Sequence, residues 1–276
     1  MIRMKIFSSL IAVIAVLLCC AGCKKTAATA APPPEELRIL STVMAADHII
    51  AELGCKEKIV AIDRHGKVLP SMEHAQAVVA GNSVSREVLK KHRINCAVVW
   101  YYQHDLIELL RRENIYTIAV GQITLAKYSD LVLELGRLCN RTDEAEKLNR
   151  NFRNLLENSA AAGQVRKVYF ELYAPWKVPA STGYIGEIMQ KAGGVFAAAS
   201  EHGGTVSPEA VCLAQPEVIF YVENFGNAQE IASRTSLRNT PAVKNNRIYA
   251  VPRQLVSEGV APEKLLKFLS ENLKDN

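Results

Sequence analysis

The side chains that could bind a ligand follow the apolar runs of this 276-residue chain. Most are aromatic or cationic. This combination suits a large, ring-rich molecule, because flat rings stack on aromatic faces and guanidinium groups pair with carboxylates. Tyrosine and histidine could also ligate iron. For each aromatic taken singly, packing in the core is the alternative interpretation. The ten candidates are Met44, Arg64, Tyr101, Tyr102, His104, Tyr173, Trp176, Glu223, Phe225 and Arg253.

The candidates come together if the apolar runs are parallel strands. These runs alternate with amphipathic helical segments, a pattern that predicts a mostly parallel sheet with helices on both faces. Ligands of such sheets lie outside the carboxyl ends of the strands, where the candidates fall. The predicted strands are 38–42, 59–62, 96–100, 116–120, 167–172, 218–222 and 247–251.

One segment of each half of the chain has almost the same sequence. Residues 81–87 (GNSVSRE) recur as residues 203–209 (GGTVSPE), and each copy continues through an amphipathic segment into an apolar run. A repeat of this length predicts two similar lobes. Small ligands bind preferentially in clefts between lobes, so this repeat indicates a binding protein.

A helical segment separates the two repeats. The helical pattern is broken near Asn140, and Thr142 can cap a second helix over residues 143–161 that would span roughly 28 Å. We therefore predict an α/β fold: two similar Rossmann-like lobes with mostly parallel sheets, bridged by a single long α-helix. The N-terminal lobe is assigned to residues 37–121, the helical bridge to 122–162 and the C-terminal lobe to 163–276.

The first 22 residues have the pattern of an export signal. Two basic residues precede the apolar run 6–18, and small residues precede Cys23. A short membrane anchor is the alternative, although the apolar stretch is brief and ends at two lysines. Residues 26–36 (TAATAAPPPEE) lack an apolar period and predict an extended tether before the folded part begins near Leu37.

Charge and cysteine content limit the possible partners. Without the signal the chain has 31 basic and 28 acidic residues and no block of five like charges, so we expect no nucleic-acid partner. Nothing in the sequence indicates an obligate interface, and we expect a monomer. The remaining cysteines lack metal-ligand spacing; buried thiols are the favoured interpretation, and disulfides of unassigned pairing stay open in an exported chain. They are Cys55, Cys96, Cys139 and Cys212.

Catalytic motifs are missing from the sequence. The His202-Gly203-Gly204 segment is similar to the oxyanion loop of esterases, but there is no G-x-S-x-G, P-loop, G-x-G-x-x-G or H-E-x-x-H motif. We expect no enzyme activity and no resident cofactor, with a secreted esterase as a remote alternative. A protein that binds bare transition-metal ions is the nearer alternative. Such a site needs several converging histidines and carboxylates, whereas His74 and His92 fall away from the strand ends.

Several segments, in order and over the whole folded part, resemble the class III periplasmic substrate-binding proteins of ABC importers for iron–siderophore complexes, haem and cobalamin. They are RILSTVMAADHIIAELG with KIVAIDRHG, the two repeats, IGEIMQKAGG and TPAVKNNRIYAVP, within residues 37–273. The resemblance implies an extracytoplasmic protein that captures a metal chelate or tetrapyrrole and delivers it to an ABC permease and its ATPase. The CAGC segment at 20–23 resembles the lipobox of bacterial lipoproteins. It implies a signal peptide over 1–22, a lipidated Cys23 that anchors the chain to a membrane, and a tether over 23–36.

The resemblance also implies two docking residues. In that family one glutamate on each lobe forms a salt bridge with arginines of the permease, and the matching positions are Glu87 and Glu209. Each follows a serine by two residues at a predicted helix start, so helix capping alone is the alternative explanation.

Overall fold

A computed structural model describes residues 30–159 and 165–274 of the chain. The predicted signal peptide, Cys23 and the first part of the tether lie outside the described residues. Within the described ranges, no helix is long and apolar enough to cross a membrane.

The N-terminal lobe is built on a parallel five-stranded sheet. Its strands are β1 (Ile39–Ser41), β2 (Ile59–Asp63), β3 (Gln76–Val79), β4 (Cys96–Trp100) and β5 (Tyr116–Val120), and its helices are α1 (Met44–Glu52), α2 (Arg86–Lys91) and α3 (His104–Arg112). The strand order is β3-β2-β1-β4-β5. The central strands β1 and β4 are almost completely buried, as expected for parallel strands covered on both faces.

The segment between the lobes forms a hairpin of two helices, α4 (Leu125–Leu138) and α5 (Thr142–Asn158). The ring of Tyr128 packs edge-on against Phe152, with centroids 4.7 Å apart, and Gly136 faces Ala145 so closely that a Cβ atom on Gly136 would lie 2.2 Å from the Ala145 Cβ. These pairings make the helices antiparallel. The predicted break near Asn140 is confirmed, and the long bridging helix α5 follows α4 after it. The prediction that Thr142 caps α5 is wrong: Arg141 holds the cap position, and Thr142 is the first helical residue.

The C-terminal lobe repeats the design on a smaller scale. Its strands are β6 (Arg166–Glu171), β7 (Lys177–Val178), β8 (Gly194–Phe196), β9 (Gly204–Thr205), β10 (Val218–Val222) and β11 (Ile248–Val251), and its helices are α6 (Tyr184–Ala192), α7 (Pro208–Ala214), α8 (Ala228–Ser233), α9 (Pro241–Lys244) and α10 (Pro262–Leu273). The main sheet is parallel with the order β11-β10-β6-β8, while β7 and β9 pair antiparallel. The predicted fold class is confirmed.

The sequence repeat has the same structure in both lobes. It comprises α2 with β4 in the first lobe and α7 with β10 in the second. Ser85 Oγ accepts a hydrogen bond from the Val88 amide at 3.3 Å, and Ser207 Oγ accepts one from the Ala210 amide at 3.1 Å. Each copy begins with a glycine, Gly81 or Gly203, whose φ is positive. This backbone conformation favours glycine.

The largest hydrophobic cluster runs through both lobes. It includes Ile49 of α1, Leu135 of α4, Ile188 of α6 and Leu266 of α10, all fully or almost fully buried. Because close-packed cores transmit strain rather than yield to it, a continuous core favours small movements between the lobes.

Candidate functional site

A cavity of about 630 Å³ lies between the two lobes. The N-terminal lobe contributes the carboxyl ends of β1, β2 and β4, and the C-terminal lobe contributes the loop after β6, the start of α6 and the segment before β9. The cavity therefore occupies the position that the strand-end rule predicts for a ligand of parallel α/β sheets.

A buried amide organises the N-terminal wall of the cavity. Gln103 Oε1 accepts hydrogen bonds from the Thr42 hydroxyl at 2.6 Å and from the Trp100 amide at 3.0 Å, and Gln103 Nε2 donates to Asn82 Oδ1 at 3.1 Å. The side chain thereby joins the ends of β1 and β4 to the first repeat. These hydrogen bonds fix the polar side chains next to the exposed aromatic rings.

A tight turn after β2 presents two basic side chains to the cavity. Asp63 Oδ1 accepts hydrogen bonds from the backbone amides of His65 and Gly66, both at 2.9 Å. Burial raises the pKa of Asp63, although these hydrogen bonds and the neighbouring Arg64 act in the opposite direction. The turn holds Arg64 and His65 in the cavity wall, where they can meet an anionic group.

Exposed aromatic rings stand on both lobes at the cavity. On the N-terminal side, Tyr102 stacks parallel to Trp100 with ring centroids 6.1 Å apart, and Tyr101 meets Tyr102 edge-on at 5.5 Å. On the C-terminal side, Tyr173 meets Phe225 edge-on at 5.0 Å. Tyr101 and Tyr102 are about half exposed, at 53% and 52%. Such rings offer flat apolar surface to a ligand from two directions.

The ten predicted ligand contacts fall into three groups. Four of them line the cavity, namely Met44, Arg64, Tyr102 and Tyr173. Met44 does so as the first residue of α1 and not from a loop. Three others are one or two contacts away from the lining: Tyr101 packs on Tyr102, Phe225 packs on Tyr173, and the Arg253 guanidinium lies 5.2 Å from the Phe225 ring centre. The remaining three are His104, Trp176 and Glu223.

These last three lie away from the cavity lining. Trp176 packs on Tyr169 at 5.9 Å between ring centroids, and the guanidinium of Arg234 lies 4.9 Å from its ring centre. His104 is the exposed first residue of α3, and Glu223 is exposed directly after β10. Direct contact of any of the ten residues with a ligand stays a prediction.

Several cavity residues are absent from the predicted contacts. They include Gln103, Lys177, His202 and Glu258. Glu258 belongs to the loop between β11 and α10, so extending the strand-end rule beyond Arg253 would have found it. Burial raises the pKa of Glu258, opposed by a hydrogen bond from the Ile123 backbone. His202 precedes the second repeat, where Gly203 comes so close to Ala180 that a Cβ would lie 2.9 Å from the Ala180 amide nitrogen.

Among residues 30–159 and 165–274, no group of three or more His, Cys, Asp or Glu side chains is arranged to hold a metal ion.

The two predicted docking glutamates occupy equivalent places on the lobes. Glu87 is the second residue of α2 and Glu209 the second residue of α7, and both side chains are exposed. The pKa of Glu87 is below its usual value because its own backbone N–H and the Ser85 hydroxyl stabilise the carboxylate. Both acids also satisfy the charge preference of a helix N-terminus, so their position alone is compatible with capping.

Residues 45–255 match the model of a protein family described as "Periplasmic binding protein". The chain belongs to this family. Periplasmic binding proteins of this kind are the substrate-binding components of ABC importers, so an ABC permease is the partner and the location is extracytoplasmic. The family comprises transport proteins and not enzymes, which confirms that no catalytic activity is to be expected and excludes the esterase alternative.

Several solved structures share this fold at low sequence identity. The periplasmic haem-binding protein HutB of Vibrio cholerae has a TM-score of 0.77 at 19% identity, over 87% of this chain and 99% of that one. The periplasmic haem-binding protein RhuT of Roseiflexus sp. RS-1, in apo form, has a TM-score of 0.73 at 19% identity, over 85% of this chain and 97% of that one. The periplasmic vitamin B12-binding protein BtuF of Vibrio cholerae has a TM-score of 0.69 at 22% identity, over 87% of this chain and 98% of that one. The search of curated proteins finds no match.

Proposed function

We propose that this periplasmic binding protein is a lipid-anchored monomer that captures a metal chelate or tetrapyrrole between its lobes and delivers it to its ABC permease. The observation that carries the proposal is the cavity with exposed aromatic rings on both lobes. A ferric siderophore, haem or cobalamin would enter from solvent, lie against these rings and meet the basic side chains of the wall.

The size and chemistry of the cavity support a large ligand. Its volume of about 630 Å³ falls within the range of roughly 300–1,000 Å³ typical of pockets for organic ligands. Its basic side chains, Arg64 of one lobe and Lys177 of the other, would pair with carboxylates or phosphates on opposite edges of a planar ligand. A bare metal ion needs neither the rings nor the volume.

The named ligands of the structural relatives agree with this class. HutB and RhuT are haem-binding proteins and BtuF binds vitamin B12, all large ring systems around a metal. The aromatic surfaces of the present cavity suit the same chemistry.

The proposed anchor is the lipidated Cys23, followed by the Pro- and Ala-rich tether. Acyl chains on Cys23 would hold the protein at a membrane surface, because each buried methylene contributes about 0.8 kcal/mol. A tether rich in Pro and Ala would let the lobes reach the permease.

Titration of the tether and lobes, residues 26–276, with haem, cobalamin and a panel of ferric siderophores tests the proposal. Trp100 lines the cavity and stacks on Tyr102, so its fluorescence should be quenched as the visible bands of the ligand shift. We expect saturable one-to-one binding of one ligand class. Binding that is restricted to bare transition-metal ions would refute the proposal and favour the metal-ion alternative.

Substitutions in the cavity locate the binding. Tyr102→Ala and Tyr173→Ala should each weaken binding about tenfold, because a lost aromatic contact costs roughly 1–1.5 kcal/mol. The matched variants Tyr102→Phe and Tyr173→Phe retain the ring. They should bind as the wild type does if stacking is the interaction, whereas an altered visible spectrum in one of them would identify a tyrosine oxygen as an iron ligand. Leu213→Ala changes an exposed side chain of α7, outside the cavity lining, and serves as the control.

A further inference from the structure

The two lobes touch each other in the wall of the cavity. Gln122 lies in the segment between β5 and α4 and lines the cavity, as do Gly183, Tyr184 and Ile185 at the start of α6. A Cβ atom on Gly183 would lie 3.8 Å from Gln122 Nε2, so the Gln122 amide lies next to the backbone of the other lobe. The segment that leaves the N-terminal lobe therefore meets the C-terminal lobe beside the ligand space.

A hydrogen bond crosses between the lobes one helical turn further along α6. Glu187 Oε2 accepts a hydrogen bond at 2.6 Å from the backbone amide of Leu125, the first residue of α4. The Thr124 hydroxyl, in the capping position of the same helix, accepts one from the Lys127 amide at 3.3 Å. The N-terminus of α4 thus has one acceptor from its own segment and a second, charged acceptor from the C-terminal lobe.

The chemistry of this contact favours a strong interaction. The first amides of a helix have no acceptor within the helix, and its N-terminus carries a partial positive charge that attracts a carboxylate. Helix α4 has 14 residues; Leu125 is buried and Glu187 is partly buried. Burial reduces the competition of water for the Leu125 amide, and a hydrogen bond with a charged acceptor is roughly twice as strong as a neutral one.

The helices that share this hydrogen bond belong to different packing units. Helix α4 packs against α1 of the N-terminal lobe, whereas α6 packs against α10 and β8 of the C-terminal lobe. A second contact between the lobes involves Ile123: a Cβ atom on Gly259 would be 2.6 Å from the Ala45 Cβ and 3.2 Å from Ile123 Cδ1. The segment 122–125 is therefore held on the C-terminal lobe by tight packing at Ile123 and by the hydrogen bond at Leu125.

We propose that Glu187 is a positioning residue for ligand capture, because its hydrogen bond to Leu125 holds the lobes in the arrangement that forms the cavity. This role presupposes the proposed function, since it concerns the affinity for a ligand between the lobes. Glu187 itself lies outside the cavity lining. The two bonded atoms are 2.6 Å apart, so a shift of about 1 Å between the lobes takes them beyond hydrogen-bond distance.

A ligand that contacts both lobes favours the same arrangement. The hydrogen bond and the ligand should therefore strengthen each other, because each stabilises the state that the other requires. A capping role alone has a different consequence. Loss of the carboxylate would then lower the stability of α4 and leave the ligand affinity unchanged.

Hydrogen–deuterium exchange of the ligand-free, full-length protein tests whether Glu187 holds the lobes. In Glu187→Ala, peptides covering 121–128 and 257–261 should exchange about tenfold faster than in the wild type, because a lost hydrogen bond to a charged group shifts a local opening equilibrium by roughly this factor. Glu187→Gln retains an acceptor oxygen and should exchange more slowly than Glu187→Ala. Gln190→Ala, at an exposed position of α6, is the matched control. Unchanged exchange at 257–261 in Glu187→Ala would overturn the proposal.

Titration of the same proteins with haem, cobalamin and a panel of ferric siderophores tests the effect on the cavity. Glu187→Ala should bind the ligand of the wild type about three- to tenfold more weakly, because a smaller fraction of the protein has the competent arrangement. Glu187→Gln should recover most of the affinity, and Gln190→Ala should retain all of it. The visible bands of the bound ligand should match those of the wild type, since Glu187 does not line the cavity.

Two results of the titration contradict the positioning role. Wild-type affinity in Glu187→Ala, together with a lower Tm, would show that the carboxylate only caps α4. An equal loss of affinity in Gln190→Ala would show that the effect does not come from this hydrogen bond. A wild type that binds none of the probes would refute the proposed function instead, and the exchange measurement would then decide by itself whether Glu187 holds the lobes.

Discussion

At the scale of single residues, Asp47 is an acid enclosed in the N-terminal core. It is 1% exposed, and within the described part of the chain neither carboxylate oxygen accepts a hydrogen bond of normal geometry. Burial raises its pKa to about 7; the nearby Ser41 hydroxyl opposes the shift and the negative charge of Asp63 reinforces it. Folding therefore favours the protonated form of Asp47 over the carboxylate.

This pKa predicts a pH dependence of stability. Between the ordinary pKa of 3.8 and about 7, the folded protein holds the proton more tightly than the unfolded chain does. The contribution of Asp47 to the free energy of unfolding should thus fall as pH rises through this window and level off above it. Asp47→Asn removes the titration. Between pH 4 and pH 8, the free energy of unfolding of the variant should rise relative to that of the wild type by on the order of 3 kcal/mol.

Urea unfolding across this pH range measures the difference. Carboxylates that do not interact with Asp47 titrate equally in both proteins, so the comparison isolates Asp47 together with its electrostatic coupling to Asp63. Asp130→Asn, at an exposed position on α4, is the matched control and should run parallel to the wild type. If the stability of Asp47→Asn also runs parallel to that of the wild type across this pH range, Asp47 does not have the raised pKa.

The sequence predicts a site residue correctly when that residue comes just after a strand, because the strand end then determines where its side chain lies. Arg64 follows β2 directly, Tyr102 is the second residue after β4, and both line the cavity. Lys177 reaches the cavity from the two-residue strand β7, and His202 reaches it from the segment before β9. The positions of both depend on tertiary contacts, and no local sequence pattern marks them. Trp176 shows the converse, because it follows a strand within five residues yet packs away from the cavity.

At the scale of elements, a buried ion pair accounts for the position of Trp176. The carboxylate of Glu171, at the end of β6, accepts hydrogen bonds from Tyr169 Oη at 2.6 Å, the Trp176 amide at 2.9 Å and Arg234 Nη1 at 2.5 Å. Arg234 also covers the Trp176 ring and binds Glu230. This arrangement anchors the segment between β6 and β7, which places Tyr173 and Lys177 at the cavity. It escapes sequence analysis because Arg234 lies far along the chain, at the end of α8.

Breaking this ion pair should destabilise the lobe and weaken ligand binding without touching the cavity. Arg234→Met leaves the Glu171 carboxylate buried without its cation, at a cost of about 3 kcal/mol in the free energy of unfolding. The exposed Arg238→Met, four residues further on, should have little effect on either quantity. Chemical denaturation and ligand titration of both variants provide the test.

A double variant separates the ion pair from general damage. Adding Glu171→Gln to Arg234→Met removes the unpaired charge, so the combined loss should be clearly smaller than the sum of the single losses. Strictly additive losses would show that the two side chains do not act as a pair.

The elements that the sequence predicts well are those with a strong apolar signal of their own. Strands β4, β5 and β10 have the predicted bounds, since each is a largely apolar run. The edge strand β3 escapes prediction because its first two residues are exposed, and β7 and β9 because two residues each carry no period. Such strands exist through pairing with a neighbour, which local sequence does not record.

At the scale of the whole molecule, the repeat gives the two lobes equivalent surfaces. Ser85 and Ser207 begin equivalent helices, and an exposed glutamate follows each as the second helical residue. The continuous core between the lobes keeps these helices in a nearly fixed relation. Two acids held at a set separation suit recognition of one rigid basic partner, because complementary charges steer and orient association.

Charge reversal separates docking from capping at these two positions. Glu87→Lys and Glu209→Lys should leave ligand affinity unchanged, since neither residue lines the cavity, and should reduce uptake at least about tenfold through loss of the pairs with permease arginines. Uptake of the ligand found by titration is measured in cells whose own copy carries the substitution, with the exposed Glu73→Lys as control. If the glutamates only cap their helices, uptake stays near the wild-type rate and only the Tm falls slightly. If these variants bind the ligand more weakly, and the weaker binding accounts for the whole loss of uptake, the docking prediction is also wrong. The two glutamates would then act on the cavity and not on the permease.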